Sequence, residues 1–352
     1  MKPRDFFYEL LKTPSPTGFE TEIQRVVKKY VSGFADKVES DLHGNLIASL
    51  NPNHKRKVML AGHCDQIGLM VRHISKEGFI YFSALGGIDG GVLPGSSVVI
   101  HSEKGSVNGV IGRKPIHLQK SEERQKMSLE IDKYWIDIGA TNEKEALKKV
   151  QIGDPITFSL NILELSNDLV CAPGIDDKVG VFVAVEALRL CSKAKLNVGL
   201  FSVSTVQEEV GLRGAKTAAY GIDPEVGIAI DVTFSSDNPG AEDTKSSPCK
   251  LGAGPAISKG PNTNPVVHDI LVKTAKKFKI PYQPAPSAKL LGYDANAIQV
   301  SRRGVAAASI GIPNRYMHTQ VEVCSFKDLE LSAKLLAEFV KSISAKTDFR
   351  PV

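Results

Sequence analysis

A HisCysAsp triplet at residues 63–65, an AspAsp pair at 176–177, a GluGlu pair at 208–209, Asp231 and His318 are the groups in this chain whose types and settings suggest bound cations. Side chains of an extended segment alternate with period two, so His63 and Asp65 project to one side. One can bind a metal while the other orients it by hydrogen bond; an ordinary polar strand end would look the same. Asp176 and Asp177 come shortly after ProGly and before ValGlyValPheValAlaVal, a helix apolar nearly all round. A helix start needs one acid as its cap. A second carboxylate has two oxygens and can bridge two cations. Glu208 and Glu209 end the apolar run LeuPheSerValSerThrValGln, where adjacent carboxylates repel unless a cation lies between them or one keeps its proton. One can then ligate while the other serves as general base; a solvated turn before GlyLeuArgGly is the other reading. Asp231 closes the strand ValGlyIleAlaIle, and His318 stands in ArgTyrMetHisThrGln, where a structural or surface histidine is equally ordinary. Each residue has such an explanation singly. Jointly they would need independent reasons for a polar group at the same edge of one sheet, which is where ligands bind in open α/β folds.

The elements that must hold these groups follow from periodicity. ThrGlyPheGlu at 17–20 fits a capping box, and Ile23, Val26, Val27, Tyr30, Val31 and Phe34 then recur at helical spacing. Strands are expected at 37–40, 45–50 and 58–62, the last delivering His63. From about Gln66 to Asn167 short β-like runs alternate with Gly-rich turns such as GlyGlyIleAspGlyGlyValLeuProGlySerSer, and only 142–150 reads as a helix. After Cys171 helices (177–190, 214–220, 266–278, 294–302) alternate with strands (196–203, 226–231, 305–311), before a last helix opened by a SerxxAsp cap at Ser325. The expected fold is α/β, a mixed sheet between helices, with residues 1–65 and 168–352 forming one domain and 66–167 an inserted β-rich one.

The remaining sequence mostly excludes functions. The 44 Lys and Arg against 39 Asp and Glu are scattered, without runs of five or six like charges, which fits solvated surface and no nucleic-acid partner. Five cysteines, an odd number without CxxC, suit a reduced cytoplasmic compartment. The start MetLysProArgAspPhePheTyrGluLeuLeuLysThrProSerPro breaks into charge and proline too soon for a signal-peptide core, and nowhere do about 18 apolar residues run uninterrupted, so no membrane partner is expected. His43, His54, His73, His101, His117 and His268 lie in turns or polar contexts without partner carboxylates. GlyAlaGlyPro at 252–255 is no phosphate loop, and no GxSxG elbow occurs.

GlyHisCysAspGlnIleGly, ProGlyIleAspAspLysValGly, GlnGluGluValGlyLeuArgGlyAla, IleAspVal and ArgTyrMetHisThrGlnValGlu, in this order, make the chain resemble the tetrahedral (TET) aminopeptidases. These are di-metal exopeptidases that include glutamyl and deblocking aminopeptidases and relatives labelled endoglucanases. The resemblance implies two divalent ions, zinc or cobalt, with Asp176 bridging them. One ion would have His63, Asp176 and Asp231, the other Asp176, Glu209 and His318. It makes Glu208 the general base and Asp65 the acid that orients His63. It further implies a cis bond between Asp176 and Asp177, a di-zinc exopeptidase-like catalytic fold, a PDZ-like insert used for assembly, and dimers joined into a tetrahedral dodecamer acting on peptides. Gln66, Ile88 and Tyr293 depart from the family's usual residues, around substrate selection. The rival expectations are an endoglucanase-type glycosidase, which would need no metal, and a non-enzymatic scaffold.

Overall fold

The computed structural model describes residues 1–119, 130–241, 247–290 and 292–352. Two amphipathic helices, α1 (Pro3–Lys12) and α2 (Thr21–Val31), open the chain and bury Phe6, Phe7, Leu10, Ile23, Val27 and Val31. β1 (Lys37–Ser40), β2 (Leu46–Leu50) and β3 (Lys57–His63) then enter the main sheet. At Gly68 the chain leaves that sheet. β4 (Gly68–Ile74), β5 (Ile80–Leu85), β6 (Ser97–Ser102), β7 (Gly105–Gly112), β8 (Trp135–Asp137) and β9 (Pro155–Phe158) close a six-stranded barrel in the order β4-β5-β8-β7-β6-β9. Closure leaves these strands no free edge, and the barrel has its own core of Leu69, Val71, Ile80, Phe82, Val98, Ile100, Ile136 and Ile156. The helix expected at 142–150 is a single short one, α3 (Glu143–Leu147), whose Glu145 amide donates to the Asn142 cap at 3.0 Å.

The α/β alternation resumes with β10 (Leu163–Leu165), β11 (Leu169–Ala172), α4 (Ile175–Cys191), β12 (Gly199–Thr205), α5 (Arg213–Ile222) and β13 (Val226–Phe234). It continues through β14 (Ala256–Lys259), α6 (Pro265–Lys277), β15 (Gln283–Pro286), α7 (Ala295–Gln299), β16 (Ala306–Asn314), β17 (Glu322–Ser325) and α8 (Phe326–Ser342). The main sheet has eight strands in the order β1-β2-β12-β3-β13-β16-β14-β15. Its centre, β12, β3, β13 and β16, is parallel, while β2 and β14 run antiparallel to their central neighbours, so the sheet is mixed as expected. One face is covered by α1, α2, α4, α6 and α8, the other by α5 and α7. α4 is apolar nearly all round because it is buried nearly throughout. β10, β11 and β17 form a separate three-stranded sheet.

Three local expectations need correcting. The ThrGlyPheGlu stretch is not a capping box: α2 starts at Thr21 with no side-chain cap, because Thr17 and Glu20 are hydrogen-bonded to the candidate site instead. Ser325 does precede α8 but makes no cap bond; Asp328 turns away to accept the amides of Gly252 (2.7 Å) and Gly254 (2.8 Å). β13 runs on to Phe234, three residues past Asp231, paired with β16 along its whole length.

Candidate metal centre

The parallel strands of the main sheet converge on one cluster. β3 ends at His63, and its glycine neighbour explains how the strand lies so close to α4: a Cβ on Gly62 would stand 2.2 Å from the Gly180 carbonyl carbon. The His63 amide donates to Asp177 Oδ2 at 3.1 Å, and the Gly180 amide to Asp177 Oδ1 at 3.0 Å, so Asp177 pins the strand end to the helix start. The Asp176–Asp177 peptide bond is cis. Glu208 and Glu209 sit in the turn after β12, which Gln207 enters with φ +56°. His318 comes from the β16–β17 connection, where Tyr316 and His318 both have φ +61°, a left-handed conformation costing non-glycine residues on the order of 1 kcal/mol.

Asp176 lies between the two histidines. Its Oδ1 is 3.2 Å from His63 Nε2 and its Oδ2 is 3.2 Å from His318 Nε2. His63 Nε2 is also 3.9 Å from both Glu208 Oε2 and Asp231 Oδ1, and His318 Nε2 is 3.5 Å from Glu209 Oε1. Ligand-type atoms gather within 4.8 Å of one another in three groups: His63, Glu208 and Asp231; Asp176, Glu209 and His318; Asp176, Asp177 and Asp231. All five expected ligands and Glu208 are therefore in one place, and among the described residues none of the other histidines joins these groups.

The surroundings orient these atoms. His318 Nδ1 faces the Gly87 carbonyl at 2.7 Å, so with Nδ1–H as the donor, Nε2 keeps its lone pair towards Asp176 and Glu209 and could ligate a cation. His63 Nδ1 is 3.0 Å from the Asp65 backbone carbonyl and 3.5 Å from the Asp65 carboxylate. That carboxylate has further work: its Oδ1 accepts the Glu208 amide at 3.0 Å, its Oδ2 accepts the Glu209 amide at 3.2 Å, and the Thr17 hydroxyl donates to it. Glu20 accepts the Gln207 amide at 3.2 Å and so braces the same turn. Glu322, which was not singled out in the sequence, accepts the amides of His318 (2.8 Å) and Asp176 (3.0 Å). Its signal was an acid opening the otherwise apolar stretch ValCys, four residues after His318. Gln66, one of the departures, is buried and turned from the cluster, accepting from Lys178 Nζ at 2.6 Å.

The electrostatics call for positive charge. Burial, reinforced by Asp294, Glu209 and Asp176 and only partly offset by His63, pushes Glu208 up to about 8. Burial and Asp176 push Glu209 up to about 7, and burial with Asp177 raises Asp231. Asp176 goes the other way: the imidazoles of His318 and His63 overcome burial and hold it at about 2. The Asp176 carboxylate in turn raises His318 to about 9. A cluster that draws protons onto its imidazoles and strains its carboxylates upward has surplus negative charge. Asp176 Oδ1 and Glu209 Oε1 are moreover buried without a hydrogen-bond partner, an arrangement that is costly unless a cation takes the lone pairs. This nitrogen and oxygen donor set fits two divalent cations.

Residues 44–335 match the family described as M42 glutamyl aminopeptidase. The chain belongs to the peptidase M42 family. It is 36% identical over 345 residues to the lysyl aminopeptidase of Pyrococcus furiosus, covering 97% of this chain and 98% of that one. It superposes on the TET aminopeptidase of a marine sediment Thaumarchaeota archaeon with a TM-score of 0.93 at 33% identity, covering 98% and 97% of the two chains. The TET1 peptidase of Pyrococcus horikoshii, which can assemble into a tetrahedron or a large octahedral shell, gives 0.86 at 31% identity over 97% and 100%. This M42 member is thus a metal-dependent aminopeptidase. Among its described residues no helix is long and apolar enough to cross a membrane.

Proposed function

We propose that this M42 peptidase removes N-terminal residues from peptides with two divalent cations, zinc or cobalt, and with Glu208 as general base. The observation that carries the reading is Asp176 between His63 and His318, one oxygen 3.2 Å from each imidazole. His63, Asp176 and Asp231 would hold one cation, and Asp176, Glu209 and His318 the other. Bound there, the pair supplies charge that acidifies water and polarises the scissile carbonyl. Glu208 takes the proton from the attacking water and passes it to the leaving amine. Asp65 fixes the turn that carries Glu208 and Glu209 through their backbone amides and keeps His63 in place. Although burial pulls Asp65 upward, the His63 imidazole, the Thr17 hydroxyl and the Glu208 amide hold it below the usual carboxylate range, so it stays ionised for that task.

A homo-oligomer is proposed on the strength of the related P. horikoshii enzyme, with the barrel as its PDZ-like assembly module, as the family resemblance implies. The cytoplasm is the proposed compartment, with five buried cysteines all as free thiols. Glu208→Gln tests the central assignment. The variant should keep two cations per chain while turnover of aminoacyl substrates falls by about 10²–10⁴-fold. Substantial peptidase activity at full metal content would remove Glu208 from its role.

A further inference from the structure

Of the two candidate cation positions, the one built on His318 has the less regular support. His63 ends a strand hydrogen-bonded between two parallel neighbours, whereas His318 sits in a connection with two left-handed residues, Tyr316 and His318. That connection is closed at its base by paired backbone bonds of 3.0 Å between Arg315 and Val323. Nothing regular fixes the histidine within it. Asp176 is likewise outside regular structure, at φ −73° and ψ 109° before the helix proper.

One side chain joins the two. Glu322 is 2% exposed, and its two oxygens divide between them: Oε1 accepts the His318 amide at 2.8 Å and Oε2 the Asp176 amide at 3.0 Å. The two ligands come from segments 142 residues apart, yet a single carboxylate holds both backbones. Only a group with two acceptor oxygens at this spacing can do so. An amide in its place has one acceptor, and its NH2 would face a backbone N–H, donor against donor.

Resting on the two-cation reading above, we propose that Glu322 is the positioning residue for one cation, setting His318 and Asp176 at the distance that the Asp176, Glu209 and His318 position requires. The His63 and Asp231 position would feel its loss through the shared Asp176 alone, whereas the other position has two of its three ligands held by Glu322. Residues that orient metal ligands from behind typically cost about 10–100-fold in metal affinity when removed.

The test is cobalt(II) titration of the metal-free full chain, followed by calorimetry and by the visible absorption of the bound ion. Wild type should bind two cobalt ions. Glu322→Gln should bind one about 10–100-fold more weakly and the other, which shares only Asp176 with it, more weakly by a clearly smaller factor, with kcat lowered and recovered by excess cobalt while KM moves less. Asp328→Asn is the control, because Asp328 is an equally buried carboxylate that accepts two amides, of Gly252 and Gly254, away from the ligands. It should unfold at a lower temperature yet bind both ions as wild type does. If Glu322→Gln does not fold, Glu322→Asp keeps both oxygens one methylene short and should weaken the same ion by a smaller factor. Equal weakening of both ions in the Glu322 variants, unchanged binding in them, or the same loss in Asp328→Asn overturns the inference. Fewer than two ions on wild type would instead overturn the two-cation reading itself.

Discussion

Gly62→Ala is the substitution whose effect can be worked most directly from the structure. Alanine is no poorer a strand residue than glycine, and Gly62 has no left-handed φ, so the cost is one of space. The new Cβ would lie 2.2 Å from the Gly180 carbonyl carbon, 2.4 Å from the Val181 nitrogen and 2.7 Å from the Gly180 oxygen. All three are backbone atoms of a buried helix and cannot rotate aside. To reach an ordinary contact of about 3.4 Å, β3 and α4 must part by about 1.2 Å. Overpacking against well-packed side chains costs about 1–3 kcal/mol, and backbone partners place this case at about 3 kcal/mol. The shift also falls next to the site, since His63 follows directly and its amide is tied to Asp177 on the same helix. A misplacement of about 1 Å in a catalytic array costs about 100-fold in rate. Urea unfolding and kcat/KM on an aminoacyl substrate measure the two effects. A variant within about 0.5 kcal/mol of wild type and within about threefold in activity would refute the reasoning. Gly180→Ala probes the same seam from the other side, because its Cβ would meet Asp177 Oδ2 at 2.1 Å. It should weaken activity in the same direction.

Two further outcomes lie away from the cluster. Gly221→Ala, near the end of α5, places its Cβ in open space within a helix and should raise stability by about 0.5–1 kcal/mol, read as a higher urea midpoint at unchanged slope. His101, half-buried against Thr157 with Nε2 2.8 Å from the hydroxyl, has its pKa lowered by burial. The unfolded chain therefore binds the proton first, so stability is fully present above the usual imidazole value near 6.5 and is lost as pH falls towards the folded value. His101→Gln should flatten that part of the melting-temperature curve, and an unchanged slope would remove His101 as its source.

What the sequence made legible was whatever burial marks locally. His63 and Asp231 stand out because each ends a buried apolar run in a central strand, 58–62 and 226–230, and Glu208 and Glu209 follow a third buried strand. The mixed sheet was readable from strands that alternate with helices. Less was readable where the partner is distant in sequence. Thr17 and Glu20 have the residue types and spacing of a capping box, but their side chains reach residues 65 and 207, which no local pattern can announce. Glu322 looks like any acid at a strand start until the fold brings the amides of His318 and Asp176 to its two oxygens. The β texture of the insert was plain, whereas its closed order was not, because β8 has three residues and pairs across the barrel with both β5 and β7. β15 is obscured by two prolines in GlnProAlaPro, tolerated because the strand is the last in the sheet.

The Gly87 carbonyl that meets His318 Nδ1 belongs to the stretch just beyond β5, within the run of chain that also builds the barrel. The barrel-building stretch is therefore no detachable cassette. A chimera that exchanged it for another barrel would keep an intact set of ligand residues and still leave one imidazole free to turn or to change tautomer, unless the replacement brought a carbonyl to the same point. The segment's contribution to catalysis would then be counted as one main-chain oxygen, invisible in any comparison of side chains.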